Sequence, residues 1–201
     1  MRVLVLYAHP GQRHSVINQQ LARTAAAIEG VTFVDLYAEY PRFHIHVERE
    51  QTRLKEHDAI VLQFPFYWYA TPALLKEWQD LVLEYDFAYG PKGTALAGKL
   101  LLPAVTAGGP QEAYLPGGRN QFTVRQLLLP LEQTAMLCSM RYIPPFVLHG
   151  AHRAREDGRG EAHRLQYHNL LEALLEDRLD LDAAASREHL GEAPLPISER
   201  G

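Results

Sequence analysis

Three unbroken apolar runs, at residues 3–6, 59–62 and 100–105, constrain this chain more than any other feature. A strand with one wet face alternates apolar and polar residues, whereas a strand covered on both faces does not. Several such strands, separated by stretches of helical periodicity, imply a parallel sheet between two layers of helices. Weaker strand patterns at 31–36 and 142–148 bring the expected number to five. Between the first two, Ile17, Leu21, Ala25 and Ile28 recur at helical spacing, with Ser15 placed to cap the first turn. Thr71-Pro72 reads as a helix start, threonine at the cap and proline at the first helical position, with Leu74, Leu75, Trp78, Leu81 and Val82 as the buried stripe. Further helices are predicted over 48–57, over 123–138 with a kink at Pro130, and over 161–179. The expected fold class is therefore α/β, a doubly wound five-stranded parallel sheet with helices on both faces. One domain over 1–179 accounts for it, and residues 180–201 turn polar and proline-bearing, which predicts a loosely held tail.

Composition bears on function by exclusion. With 47% hydrophobic and 22% charged residues among 201, the chain can bury a sizeable core. A formal net charge of -4 argues against a broad attraction to nucleic acid or to anionic membrane, so a small molecule or another protein is the expected partner. Cys138 is the only cysteine, which removes an internal disulfide and any Cys-X-X-Cys redox or zinc motif. The first apolar run is too short for a secretory signal. The longest apolar stretch, 59–75, is interrupted by Gln63, Pro65 and Pro72, so direct membrane insertion is not expected and the chain reads as cytoplasmic.

In a doubly wound sheet, ligands bind beyond the carboxyl ends of the strands. Three segments meet that condition: 9–18, 64–70 and 106–120. The first leads into a helix N-terminus, whose free N–H groups and dipole suit an anion. Ser15 there adds a hydroxyl, and His9, Arg13 and His14 add donors. The same residues also suit a plainer reading, in which Ser15 only caps its helix and the charges sit in water. Neither G-x-G-x-x-G nor G-x-x-x-x-G-K-[ST] is present, so Rossmann and Walker-type sites lose support. The second segment holds Phe64, Phe66, Tyr67, Trp68 and Tyr69, flat apolar walls for a planar heterocycle or, equally, packing for a core or a second subunit. In the third, Thr106-Ala107-Gly108-Gly109 leaves main-chain N–H groups unshielded, although paired glycines often serve a turn alone.

Taken together, these residues resemble the flavodoxin-like NAD(P)H quinone reductases, and among them the ancillary flavoproteins of glutathione-regulated potassium-efflux systems. The resemblance rests on Y-A-H-P with Ser15 and Asn18, on P-F-Y-W-Y-A-T-P-A-L-L-K-E-W from Pro65, on A-Y-G-P-K-G-T-A-L-A-G-K from Ala88, on V-T-A-G-G from Val105 and on P-P-F-V-L-H from Pro144. It implies the strand order 2-1-3-4-5 and FMN as cofactor, FAD being used by some relatives, with NAD(P)H as co-substrate and a quinone as acceptor in a ping-pong cycle. Phosphate contacts would fall on His9, Ser15, Val16, Ile17 and Asn18. Ring contacts would fall on Phe66, Tyr67, Trp68, Tyr69, Thr106, Ala107, Gly108 and Gly109, with main-chain amides near the two glycines facing the edge where charge grows on reduction.

The resemblance also implies a homodimer whose second subunit closes the pocket. Its alternative form is a regulatory subunit docked on the cytoplasmic side of a potassium-efflux antiporter, peripheral to the inner membrane. Tyr114 matches a tyrosine that assists the reduced flavin, and Asn120 stands where relatives carry a histidine. Asparagine hydrogen-bonds but supplies no acid near neutral pH, so the proton-relay role does not carry over. Pro103 implies either a bulge or a displaced strand limit, because proline cannot donate to a ladder. His44 and His46 lack an Asp or Cys to complete a ligand set, and no metal site is expected. Trp78 is read as helix-face core and His149 as a hydrogen-bonded structural residue.

Overall fold

The unbroken apolar runs form the middle of a parallel sheet. The computed structural model describes residues 1–11 and 15–198, so Arg13 and His14 lie outside the described residues. The strands are β1 (Val3–Tyr7), β2 (Val31–Asp35), β3 (Ala59–Pro65) and β4 (Leu100–Thr106). Two short strands, β5 (Arg141–Tyr142) and β6 (Phe146–Leu148), share the fifth position. All pairings are parallel, in the order β2-β1-β3-β4-β5, with β6 also on β4. The order is the expected one, but the fifth strand is split.

Pro103, facing Pro144 and Pro145, accounts for the split. It keeps register with Leu62, so the ladder to β3 is unbroken, but on the other side Leu102 and Pro103 face three residues, 143–145, an extra residue on the fifth strand. Leu100 N–H donates toward β3, at the Asp58 carbonyl, and the Leu101 carbonyl accepts from Ile143 on the other side. Alternation then directs Pro103 at the fifth strand, where a parallel ladder would have its N–H donate to the Ile143 carbonyl. Proline has no N–H, and the ladder stops there before resuming at Ala104 and Phe146.

Helices cover both faces. Val3 and Val5 pack on α1 (Val16–Ala27) and α7 (Arg159–Leu175), whereas Leu4 and Leu6 face α2 (Leu36–Glu39), α3 (Val47–Glu56), α4 (Ala73–Val82), α5 (Val124–Leu127) and α6 (Leu129–Leu137). Pro72 is the cap of α4 rather than its first residue, and Leu81 is exposed, outside the stripe of Leu74, Leu75, Trp78 and Val82. The helix predicted over 123–138 breaks at Leu128, and Pro130 sits in the first turn of α6, where its missing N–H costs nothing. Glu50, fully buried on α3, accepts from Tyr40 Oη at 2.6 Å and from Trp78 Nε1 at 3.0 Å, and pairs with Arg53. Trp78 is core, as its spacing implied. Among the described residues no helix is long and apolar enough to cross a membrane.

The segment after α7 is not loose. It forms α8 (Leu181–Ala185) and lays Leu190, 1% exposed, beside Phe146. Leu190 N–H donates to the Pro145 carbonyl at 2.9 Å, and its carbonyl accepts from Val147 at 2.8 Å. β6 lies at the sheet's edge, and its backbone groups need partners that this polar segment supplies.

Candidate functional site

A cleft of about 740 Å³ opens at the carboxyl ends of β1, β3 and β4, the size of a cofactor site. His9, Ser15, Val16, Ile17, Asn18, Phe66, Tyr67, Trp68, Tyr69, Thr106, Gly108, Gly109 and Tyr114 all line it. Two expected residues do not. Ala107 is fully buried, its N–H donating to the Leu148 carbonyl and its carbonyl accepting from Ala151, because it is needed to tie β4 to the turn after β6. Asn120 lies in an adjoining hollow of about 480 Å³ with Tyr69, Tyr114 and Arg119, where its Oδ1 accepts from Tyr69 Oη at 3.1 Å.

The turn from β1 into α1 builds the polar end. Ser15 occupies the cap position, yet its hydroxyl makes no capping hydrogen bond, and the first amide to bond within the helix is Gln19. Among the described residues, the amides of Val16, Ile17 and Asn18 therefore have no helix partner at the positive end of the dipole. His9 is 2% exposed, and its Nδ1 accepts from Gly11 N–H at 3.1 Å, which places the ring proton on Nε2. Burial holds its pKa below the ordinary histidine value, so at neutral pH it is an uncharged donor. Asn18 is fixed by a 2.6 Å bond from Nδ2 to Thr106 Oγ1, and its main-chain oxygen accepts from Gln63, which in turn accepts from Tyr167. Asn18 Oδ1 is left buried without a partner.

The aromatic turn builds the apolar wall. Trp68 and Tyr69 take φ of 50° and 63°, left-handed values unusual for bulky residues, and Ala70 N–H closes the turn on the Tyr67 carbonyl. Phe66 and Tyr114 pack together beneath, ring centroids 6.1 Å apart. Burial raises the Tyr114 pKa, keeping its hydroxyl protonated. A Cβ on Gly109 would lie 3.1 Å from the Tyr114 ring, and one on Gly108 would lie 2.8 Å from His152 Nε2. The paired glycines thus let two other loops close against β4.

His152 belongs to a group that sequence reasoning missed. Pro65, Ala151, His152, Arg155 and Glu156 also line the cleft. All but Pro65 follow β6, so the strand-end rule applied to the other segments reaches them too.

A family model described as flavodoxin-like fold matches residues 1–171. General stress protein 14 of Bacillus subtilis is 45% identical over 166 residues, 82% of this chain and 95% of that one. The glutathione-regulated potassium-efflux system ancillary protein KefG of Pectobacterium carotovorum is 46% identical over 156 residues, 78% of this chain and 85% of that one. Among solved structures, general stress protein 14 of Treponema denticola in complex with FMN superposes with a TM-score of 0.81 at 37% identity, covering 87% of this chain and 99% of its own. An NADPH-quinone reductase from P. pentosaceus gives 0.75 at 31%, covering 85% and 97%. By sequence and by architecture, the chain belongs to the flavodoxin-like fold family.

Proposed function

We propose that this protein is a flavin-dependent NAD(P)H:quinone oxidoreductase that holds FMN in the cleft above the sheet. The observation that carries the reading is the coincidence of free helix amides, an aromatic wall and glycine-lined backbone in one cavity. Likeness to an FMN complex and to an NADPH-quinone reductase supports it. The orphaned Asn18 Oδ1 and the unengaged Ser15 hydroxyl fit a polar ligand with both donors and acceptors. The chemistry the cofactor supplies is hydride acceptance from NAD(P)H followed by transfer to a quinone, one substrate leaving before the next arrives.

The chain's own residues bind and orient. The amides of Val16, Ile17 and Asn18, the Ser15 hydroxyl and the His9 Nε2–H hold the phosphate. Phe66, Tyr67, Trp68 and Tyr69 flank the ring, and Thr106, Gly108 and Gly109 meet its edge. Tyr114, held protonated, keeps a proton at its hydroxyl beside that edge. Asn120 orients Tyr69 rather than moving a proton. Trp68 is 91% exposed with Tyr67 and Tyr69 about half-exposed beside it, which supports closure by a second copy of the chain; sedimentation of the purified protein as a monomer would count against that closure.

An absorption spectrum of the purified protein, with mass analysis of the released chromophore, separates FMN from FAD. Protein that stays colourless when FMN is supplied in excess overturns the reading. Oxidation of NADH and NADPH against a quinone panel then tests turnover, and a flavin-loaded protein that turns over none of them leaves the second reading. In that reading, supported by the likeness to KefG, the flavoprotein regulates a potassium-efflux antiporter from the cytoplasmic side. Co-purification with such an antiporter is the expected result, and failure to associate with it in membranes rejects this alternative.

A further inference from the structure

Behind the wall made by Gly108 and His152 lies a second cavity, of about 730 Å³, bordered by His149, His163 and Glu192. His149 follows β6 directly and is 3% exposed, while Glu192 and His189 come from the segment that follows α8. His149 Nδ1 is 2.7 Å from Glu192 Oε1, and His189 Nε2 is 3.1 Å from Glu192 Oε2. One donor atom from each of the three residues lies within 4.8 Å of the others. We infer that His149, His189 and Glu192 bind one divalent transition cation of the zinc class.

Two imidazole nitrogens and a carboxylate oxygen form a donor set suited to such a cation. Bonds of about 2.0–2.1 Å in a tetrahedral site place neighbouring donors roughly 3.3 Å apart, so the present spacings need only small side-chain shifts. Both rings can hold the metal as neutral tautomers, the proton moving from His149 Nδ1 and His189 Nε2 to the other nitrogen of each ring. Arg159 donates to the His149 carbonyl, and Asp157 offsets its charge at 2.8 Å.

His163 is the second, independent observation. It is 3% exposed, its Nδ1 is turned to the Gly191 carbonyl at 3.4 Å, and its Nε2 is buried without a partner on the same cavity. A proton held at Nδ1 leaves Nε2 as a bare buried acceptor, a costly state unless a donor comes to it. A water on the open fourth position of the metal supplies such a donor. Gly191 permits the approach, since a Cβ there would sit 2.9 Å from the His163 ring and 2.8 Å from the Val147 carbonyl. The cation would cross-link β6 to the C-terminal segment and brace His149, whose ring lies 5.6 Å from that of Tyr114 in the first cavity.

The test is zinc binding by the untagged, full-length, flavin-loaded protein, followed by calorimetry and by metal analysis after gel filtration. One equivalent is expected for the parent and for His46→Ala, an exposed histidine elsewhere. His189→Ala and Glu192→Gln should each weaken binding at least tenfold, and zinc should raise the Tm of the parent but not of either variant. Glu192→Gln keeps a hydrogen-bonding side chain, so it separates lost ligation from misfolding. No saturable binding to the parent, or equal binding by the variants, would show the trio to be a hydrogen-bonded latch and overturn the site.

Discussion

Trp68 and Tyr69 stand at the two centre positions of a turn that ordinarily takes Asn-Gly, since both require positive φ. A left-handed Trp costs about 1–3 kcal/mol, and Trp68, 91% exposed, regains almost none of it by burial. Trp68→Gly should therefore stabilise the fold by about 1 kcal/mol and raise the Tm by roughly 2–4 °C after the entropic cost of glycine. The same substitution should weaken flavin binding several-fold, the worth of about 1 kcal/mol of ring contact. Thermal unfolding and flavin titration of one sample read both effects, and a lowered Tm would remove strain as the explanation. Gly109→Ala acts differently, because it pushes the Tyr114 ring rather than relieving backbone. Fluorescence titration should find its flavin affinity reduced about tenfold with the Tm changed little.

At the scale of elements, two devices hold the layers. Glu50 is a buried carboxylate bridging Tyr40, Arg53 and Trp78, so its removal leaves the Tyr40 hydroxyl and the Trp78 Nε1–H without their acceptor, while Arg53 keeps its pair with Glu39. Glu50→Ala should cost about 2–4 kcal/mol in denaturant unfolding, the cost of two buried donors left without an acceptor, whereas a change below about 1 kcal/mol would mean that the network is solvated. The second device is the segment after α7. Leu190→Ala should cost about 2–4 kcal/mol, and limited proteolysis should spare residues 180–198 in the parent. Sequence polarity pointed the other way there, because neither one buried Leu190 nor the backbone bonds it makes to Pro145 and Val147 leave a pattern in a polar segment. The split of the fifth strand was half legible. Pro103 announced a fault in the ladder, but which neighbour would bear it depends on the alternation of N–H directions, known once β4 lies between β3 and β5.

For the whole molecule, pH links the core to solvent through His163. Burial holds its pKa at about 4, against an ordinary value of 6.5. Between those values the unfolded chain binds a proton that the native chain refuses, so stability is fully present above about 6.5 and is lost as pH falls toward 4. The ring accounts for about 3 kcal/mol over that window. Urea unfolding from pH 7 to 4.5 with a chelator present should show this slope, and His163→Leu should remove about one proton's worth of it. An unchanged slope in the variant would assign the acid sensitivity to other groups.

The pattern of the sequence by itself determined the layers and most of the cleft, and its resemblance to a family supplied the strand order. Unbroken apolar runs have one stable environment, and the carboxyl ends of parallel strands must converge. His9, Phe66 and Gly108 were legible for that reason, each within two residues of a strand end, and Ser15 as the cap of the helix that follows β1. Tertiary structure alone decided the pairs that join distant segments: Asn18 with Thr106, Gly108 with His152, and His149 with Glu192. Such contacts depend on side-chain direction and on how closely two loops approach, and neither leaves a period in the chain.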